Sequence, residues 1–362
     1  MRTLTILLLA AAPLAAQAGK TQNIILVTAD GLRWQEVFRG IDPMLMREKD
    51  AGMEKGERLR QQLWADSPEQ RREKLLPFFW KTLAAGGVVL GNRDKSSAVQ
   101  VSNAFRVSYP GYSEILTCRA QDEQIRNNDP IRNPRLTVLE FARQKLGIGP
   151  SQAALLASWE RFRLIGESRE GAVFINAGYQ DAAGSPRVVD LSRMQFDVRG
   201  NSDESRHDYV TFELALEHLR LHRPRLLYVA FDETDEWAHS KRYDRTLQSA
   251  QYFDRSLARL WQAAQSVDQY RGRTTLLVTS DHGRGSKLDD WSRHGAKVEG
   301  AEYIWMAALG PDTPARGEAG GAATVYQRDV AATILALLGL DWREYCGAGG
   351  GQPVAAIAGP GR

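Results

Sequence analysis

Cysteine is scarce in this chain, and neither sign of charge dominates it. Only Cys118 and Cys346 occur in 362 residues, too few for a disulfide-built scaffold and too far apart for a zinc knuckle. In an oxidising compartment the even count allows one disulfide; two separate buried thiols are the alternative. Base exceeds acid only slightly, 47 Lys+Arg against 44 Asp+Glu. That leaves no electrostatic footprint for duplex nucleic acid or an anionic membrane surface. No apolar run reaches the ~20 residues of a membrane span, and no internal repeat is present. What remains is ordinary globular material, 43% hydrophobic and 25% charged, enough for a large core and too apolar for disorder.

The first residues read as an address. Arg2 supplies a positive n-region, Thr5 to Leu9 begin an apolar stretch, and Ala16-Gln17-Ala18 fits a small-residue cleavage site. Residues 1–18 are therefore expected to be a signal peptide, which places the mature protein in a bacterial periplasm or outside the cell.

Short apolar runs alternate with helical patterns, the sign of a mostly parallel central sheet sandwiched by helices, an α/β fold. Strands are expected at Asn23–Ala29, Ala154–Ser158, Ala172–Asn176, Leu226–Phe231, Thr274–Ser280 and Tyr303–Leu309. Helices are expected at Glu69–Ala85, Pro110–Cys118, Leu136–Leu146, Tyr209–His222, Tyr243–Tyr270 and Gln327–Leu338. One catalytic domain over 19–346 follows, with a solvated helical insertion near 40–75 and polar excursions near 119–135 and 180–207. The Gly/Ala/Pro-rich 347–362 reads as a loose tail.

Three of the strands end in acids: Asp30-Gly31, Asp232-Glu233-Thr234-Asp235 and Asp281-His282-Gly283. In open parallel sheets ligands bind beyond the carboxyl ends of the strands, so acids distant in sequence meet on one edge. An acid after a strand is ordinarily an N-cap. Here His239 follows Asp235 at i+4, His282 adjoins Asp281, and His294 comes shortly after. Imidazole with carboxylate suits zinc or manganese, whereas calcium takes oxygen alone. His218 and His222 sit at a helix end without an acid at ligand spacing and read as helix-terminal residues. Ser108, before Pro110, falls at a helix N-terminus, where N–H groups favour an anion. No base stands near it in sequence, so a metal would have to activate its hydroxyl.

The ordered set Asp30-Gly31, Ser108-x-Pro110, Asp235-xxx-His239, Thr279-Ser280-Asp281-His282-Gly283 and His294-Gly295 resembles the alkaline phosphatase superfamily. It is closest to the nucleotide pyrophosphatase/phosphodiesterase and sulfatase-like branches, and the resemblance runs from about Asn23 to Leu340. It implies an alkaline-phosphatase-like fold and two divalent ions, zinc with manganese as the alternative. Asp30, Asp281, His282 and Ser108 would hold one ion, and Asp235, His239 and His294 the other. Asp232 is an alternative ligand or a support. Two such ions, ~4 Å apart, clamp the attacking and leaving oxygens of an in-line displacement. Ser108 would attack phosphorus and form a phosphoseryl intermediate on a small anionic ester.

Two departures matter. Phosphodiesterase branches carry Pro-Asn-His after the nucleophile, with the Asn on the phosphate; here Gly111-Tyr112 stands instead, leaving Asn103 or the backbone to make that contact. Sulfatases carry an Arg where this chain has Tyr112. The expectation is a metal-dependent phosphomonoesterase or phosphodiesterase, against a sulfuric-ester hydrolase or a silent metal-binding member of the same fold.

Overall fold

The computed structural model describes residues 20–48, 51–53, 56–321 and 323–359; the expected signal peptide lies outside them. Its strands, in chain order, are β1 (Asn23–Ala29), β2 (Val88–Leu90), β3 (Val99–Gln100), β4 (Ala153–Ala157), β5 (Phe174–Ala177), β6 (Leu226–Phe231), β7 (Thr274–Thr279), β8 (Tyr303–Ile304), β9 (Met306–Leu309), β10 (Gly317–Glu318) and β11 (Val325–Tyr326). Eight form one sheet in the order β10-β2-β9-β7-β1-β6-β4-β5, and β11-β3-β8 form a small second one. From β7 to β5 every pairing is parallel.

The central strands are buried on both faces, so they are continuously apolar rather than alternating. Along β1, Ile25, Val27 and Ala29 face one core, shared with the helices Asp208–His222 and Tyr243–Gln265. Ile24 and Leu26 face the other, shared with the helices Ser108–Thr117, Val138–Leu146 and Asp329–Leu337. The expected sandwich is thus the architecture found, with helices on both sides of a large sheet.

Four expectations need correction. The run Tyr303–Leu309 is two strands, one in each sheet, and β9 runs antiparallel to both β7 and β2. The break is Trp305, fully buried, whose indole N–H donates to the Leu32 carbonyl at 2.9 Å. The helix expected at Glu69–Ala85 is broken at Leu76, which precedes Pro77 and is pushed off helical geometry (ψ 68°), and it resumes through the π-helical turn Phe79–Leu83 into Ala84–Gly86. The insertion near 40–75 is not merely solvated: Leu59, Leu63 and Leu75 join the core, and Arg71 and Arg72 are buried. The segment read as a loose tail packs as far as it is described, with Val354, Ile357 and Ala358 buried and the Val354 N–H held by Thr333 Oγ1 at 2.9 Å. A further helix, Pro186–Asp197, forms inside the second polar excursion, capped by Ser185 and burying Val188 and Leu191.

Cys118 and Cys346 are disulfide-bonded, with Cα atoms 5.4 Å apart. Cys118 ends the helix Ser108–Thr117 in the left-handed region (φ 62°). The bond therefore ties the Ser108 helix to the C-terminal segment.

Candidate metal centre and nucleophile

The three acid-ending strands β7, β1 and β6 are neighbours in the sheet. Their register aligns Thr28 with Thr279 and Ala29 with Phe231, so Asp30, Asp281 and the turn after Phe231 emerge on one edge. Asp235 and His239 come from the helix Glu233–His239 that starts there, one turn apart on one face. His294 arrives from the loop after β7 and stacks on His282 with ring centroids 3.9 Å apart.

The distances are those of a donor cluster. His282 Nε2 lies 3.3 Å from Asp30 Oδ1, 3.4 Å from Asp281 Oδ2 and 3.6 Å from Asp235 Oδ1. His239 Nε2 lies 3.0 Å from Asp235 Oδ2 and 2.9 Å from His294 Nε2. Two sets of donors result, Asp30–Asp281–His282 and Asp235–His282–His294, with His239 closing the second set at the half-exposed mouth. His282 stands between them.

This set fits a divalent cation, and the tautomers show why. Nδ1 of His282 bonds the Gly283 carbonyl at 2.9 Å, and Nδ1 of His294 bonds the Arg106 carbonyl at 3.1 Å. Each Nδ1 must therefore donate, which leaves both Nε2 lone pairs aimed into the cluster. Asp30 Oδ1 and Asp281 Oδ2, the oxygens that face them, are buried without a hydrogen-bond partner. Lone pairs converging on unpartnered carboxylate oxygens are costly to bury unless a cation lies among them. Without one, the site takes up protons. Burial opposes a charge on His282, but Asp281 and Asp30 outweigh it and raise its pKa to about 9. The Asp281 carboxyl is pushed well up by burial and by Asp30. His294, in contrast, is held well below its usual range by burial and by His282.

Ser108 Oγ stands 3.4 Å from His282 Nε2, at the first residue of its helix. The approach to it is rigid. Glu114, fully buried, accepts from the Ser102 N–H at 2.8 Å, the Asn103 N–H at 2.9 Å and Asn103 Nδ2 at 3.0 Å. Asn103 Oδ1 accepts the Arg106 N–H at 2.7 Å. Asn103 is buried and its amide is anchored on both sides, by one of its two N–H groups and by its oxygen. Asp232 lies outside both donor sets; its backbone N–H donates to Asp208 Oδ1 at 2.9 Å, and burial and Asp30 hold its carboxyl well above the usual range. His218 bonds the Ser151 carbonyl at 2.8 Å and stacks on Phe174, away from the site.

Three residues at the site were not singled out by pattern. Asn128, from the first polar excursion, accepts the Tyr109 N–H on Oδ1 at 2.9 Å. Its amide nitrogen has no hydrogen-bond partner among the described residues, and Asn128 is exposed, held against the residue that follows Ser108. Tyr112, already noted as a departure, donates its hydroxyl to Asp30 Oδ2 at 2.9 Å. Arg284, fully buried, donates to the Asp235 carboxylate. Only Arg284, two residues past His282, carried a local hint. A polar cleft of about 540 Å³ between Arg132, Arg161 and Gln180 contains none of the candidate residues.

A central sheet with this strand order and helices on both faces is an alkaline-phosphatase-like fold. Residues 199–341, which include Asp235, His239, Asp281, His282 and His294, match the profile of the Metalloenzyme superfamily. The alkaline phosphatase PafA superposes with a TM-score of 0.60 at 10% identity, covering 95% of this chain and 100% of that one. A phosphonate monoester hydrolase from Silicibacter pomeroyi gives 0.58 at 12% identity, over 94% of this chain and 77% of that one. A 2-O GAG sulfatase gives 0.58 at 13% identity, over 94% and 74%. No curated protein matches the sequence significantly. The resemblance to the alkaline phosphatase superfamily therefore holds, in the fold of the chain and in its metalloenzyme segment.

Proposed function

We propose that the chain is an exported hydrolase of phosphoric esters that works with two divalent cations and uses Ser108 as its nucleophile. The carrying observation is Ser108 Oγ at 3.4 Å from His282 Nε2, on a helix N-terminus beside two sets of converging donors. Asp30, Asp281, His282 and Ser108 would hold one ion, and Asp235, His239 and His294 the other. Imidazole with carboxylate favours zinc, with manganese as the alternative. The ions supply Lewis-acid activation of the serine hydroxyl and offset charge on the transferring group. Four positive charges against three carboxylates leave a surplus for an anionic substrate.

The chain's own groups do the rest. The N–H of Ser108 and the free amide nitrogen of Asn128 receive the non-bridging oxygens of the ester. Ser108 Oγ bonds to phosphorus while the alcohol leaves on the opposite side. Water then splits the phosphoseryl ester, which restores Ser108 and releases the phosphoryl product. Tyr112 supports phosphorus over sulfur as the centre attacked, since its hydroxyl is engaged by Asp30 where a sulfatase-like site would need an arginine. Export rests on the N-terminal motif and on the Cys118–Cys346 disulfide, a bond that persists in oxidising compartments.

The test is hydrolysis of p-nitrophenyl phosphate, bis-p-nitrophenyl phosphate and p-nitrophenyl sulfate by the metal-replete protein. Expected is turnover of a phosphorus ester, abolished by chelator and by Ser108→Ala with metal content unchanged. Asn128→Ala should raise KM or lower kcat at least tenfold. Preference for the sulfate, with formylglycine at position 108, would overturn the reading.

A further inference from the structure

The carboxylate of Asp235 is shared with a residue that cannot leave it. Arg284 follows Asp281 and His282 on the same turn, and its guanidinium is fully buried. Its Nη2 donates to Asp235 Oδ1 and, at 3.3 Å, to the Asp235 carbonyl. Its Nε donates to the Gly31 carbonyl at 3.2 Å and its Nη1 to the Ser292 carbonyl at 2.6 Å. Every arm of the fork is held, three of the four bonds by backbone that does not rotate away. The niche itself depends on Gly31: a β-carbon there would stand 2.8 Å from Arg284 Nε and 2.7 Å from Asp235 Oδ1.

This gives the two donor sets different charge. Asp30 and Asp281 bring two carboxylates, neither hydrogen-bonded by a guanidinium, although Asp30 also feels the Arg284 charge. The second set has one carboxylate, Asp235, which Arg284 holds directly. A cation there meets half the carboxylate charge, and a fixed positive neighbour in contact with its ligand, in a site poor in water where such repulsion is weakly screened. We propose that Arg284 makes the two cation positions unequal: the ion at Asp235–His239–His294 is the weaker and exchangeable one, and Arg284 is the cause. The proposal rests on the two-cation reading above, but it concerns binding and not turnover.

The test is calorimetric titration of the metal-free protein with zinc, with competing chelator to bring both affinities into range. The wild type should show two classes of site at least tenfold apart. Asp235→Asn should remove the weaker class and leave the tighter one. Arg284→Gln, which keeps N–H donors and loses the charge, should tighten the weaker class at least tenfold and leave the tighter class unchanged. Arg284→Lys, which keeps the charge, should preserve the gap. A single class in the wild type overturns the proposal whether or not the variants fold. So does an unchanged or weakened second class in a folded Arg284→Gln protein. Two unequal sites in a protein inert to every ester would sink the hydrolase reading and leave this one standing; a protein that binds neither zinc nor manganese would end both.

Discussion

A β-carbon on Gly111 would stand 2.3 Å from the backbone oxygen of Asp281. The helix that carries Ser108 thus lies directly on the turn that carries Asp281 and His282, with no side chain between them. This accounts for the glycine at position 111. Gly111→Ala must push the helix off the turn and move Ser108 relative to His282. A displacement near 1 Å costs on the order of 10²-fold in rate, and overpacking costs about 1–3 kcal/mol. Steady-state kinetics and urea unfolding of the variant measure both; an unchanged kcat would separate the close approach from catalysis.

Tyr112 stands on the same helix and reaches Asp30 Oδ2 at 2.9 Å. It orients the carboxylate whose other oxygen faces His282. Removing such a partner weakens metal binding about 10–100-fold. Tyr112→Phe should therefore lose affinity for the tighter ion by that factor in a chelator competition, with little loss of fold stability. Wild-type affinity would mean that Asp30 is held by its backbone alone.

The disulfide between Cys118 and Cys346 fastens the far end of this helix, and Tyr345 reinforces it by donating to the Leu116 carbonyl at 2.7 Å. Replacing both cysteines by serine should cost about 2–5 kcal/mol in urea unfolding. The same shift should appear when the wild type is unfolded with reductant present.

His218 sets a pH dependence. Burial lowers its pKa from 6.5 to about 4, with Nε2 donating to the Ser151 carbonyl at 2.8 Å. A histidine depressed by folding favours the native state while it is neutral. That contribution is complete above the unfolded pKa and is lost as pH falls from about 6.5 towards 4. At 1.36 kcal/mol per pKa unit it amounts to about 3 kcal/mol. His218→Gln keeps a donor for Ser151 and removes the titration. Its stability relative to wild type should improve by up to that amount between pH 7 and pH 4; parallel curves would show that His218 does not titrate in this window.

Asp30, Asp281 and His282 were legible because each sits just past a strand end, and strand ends are marked locally, by an apolar run broken with Asp-Gly or Asp-His-Gly. The order of those runs also implied one parallel sheet edge. Asn128 was not legible: its role comes from one hydrogen bond to Tyr109, and nothing in the polar stretch around it distinguishes it from Asn127. Asn103 was chosen by type alone; that its amide is anchored between Glu114 and the Arg106 N–H is set by the tertiary structure.

What the sequence determined by itself was the inventory: parallel strands, their terminal acids and histidines, a serine at a helix start. These depend on periodicity and on groups a few residues apart. What the tertiary structure decided was partnership. It set His282 between the two donor sets, turned β9 antiparallel around Trp305, seated the Ser108 helix through Gly111, and locked Arg284 onto Asp235. Each of these joins segments far apart in the chain, where side-chain volume and the need to satisfy buried polar groups choose the neighbour, and neither has a period that a sequence can display.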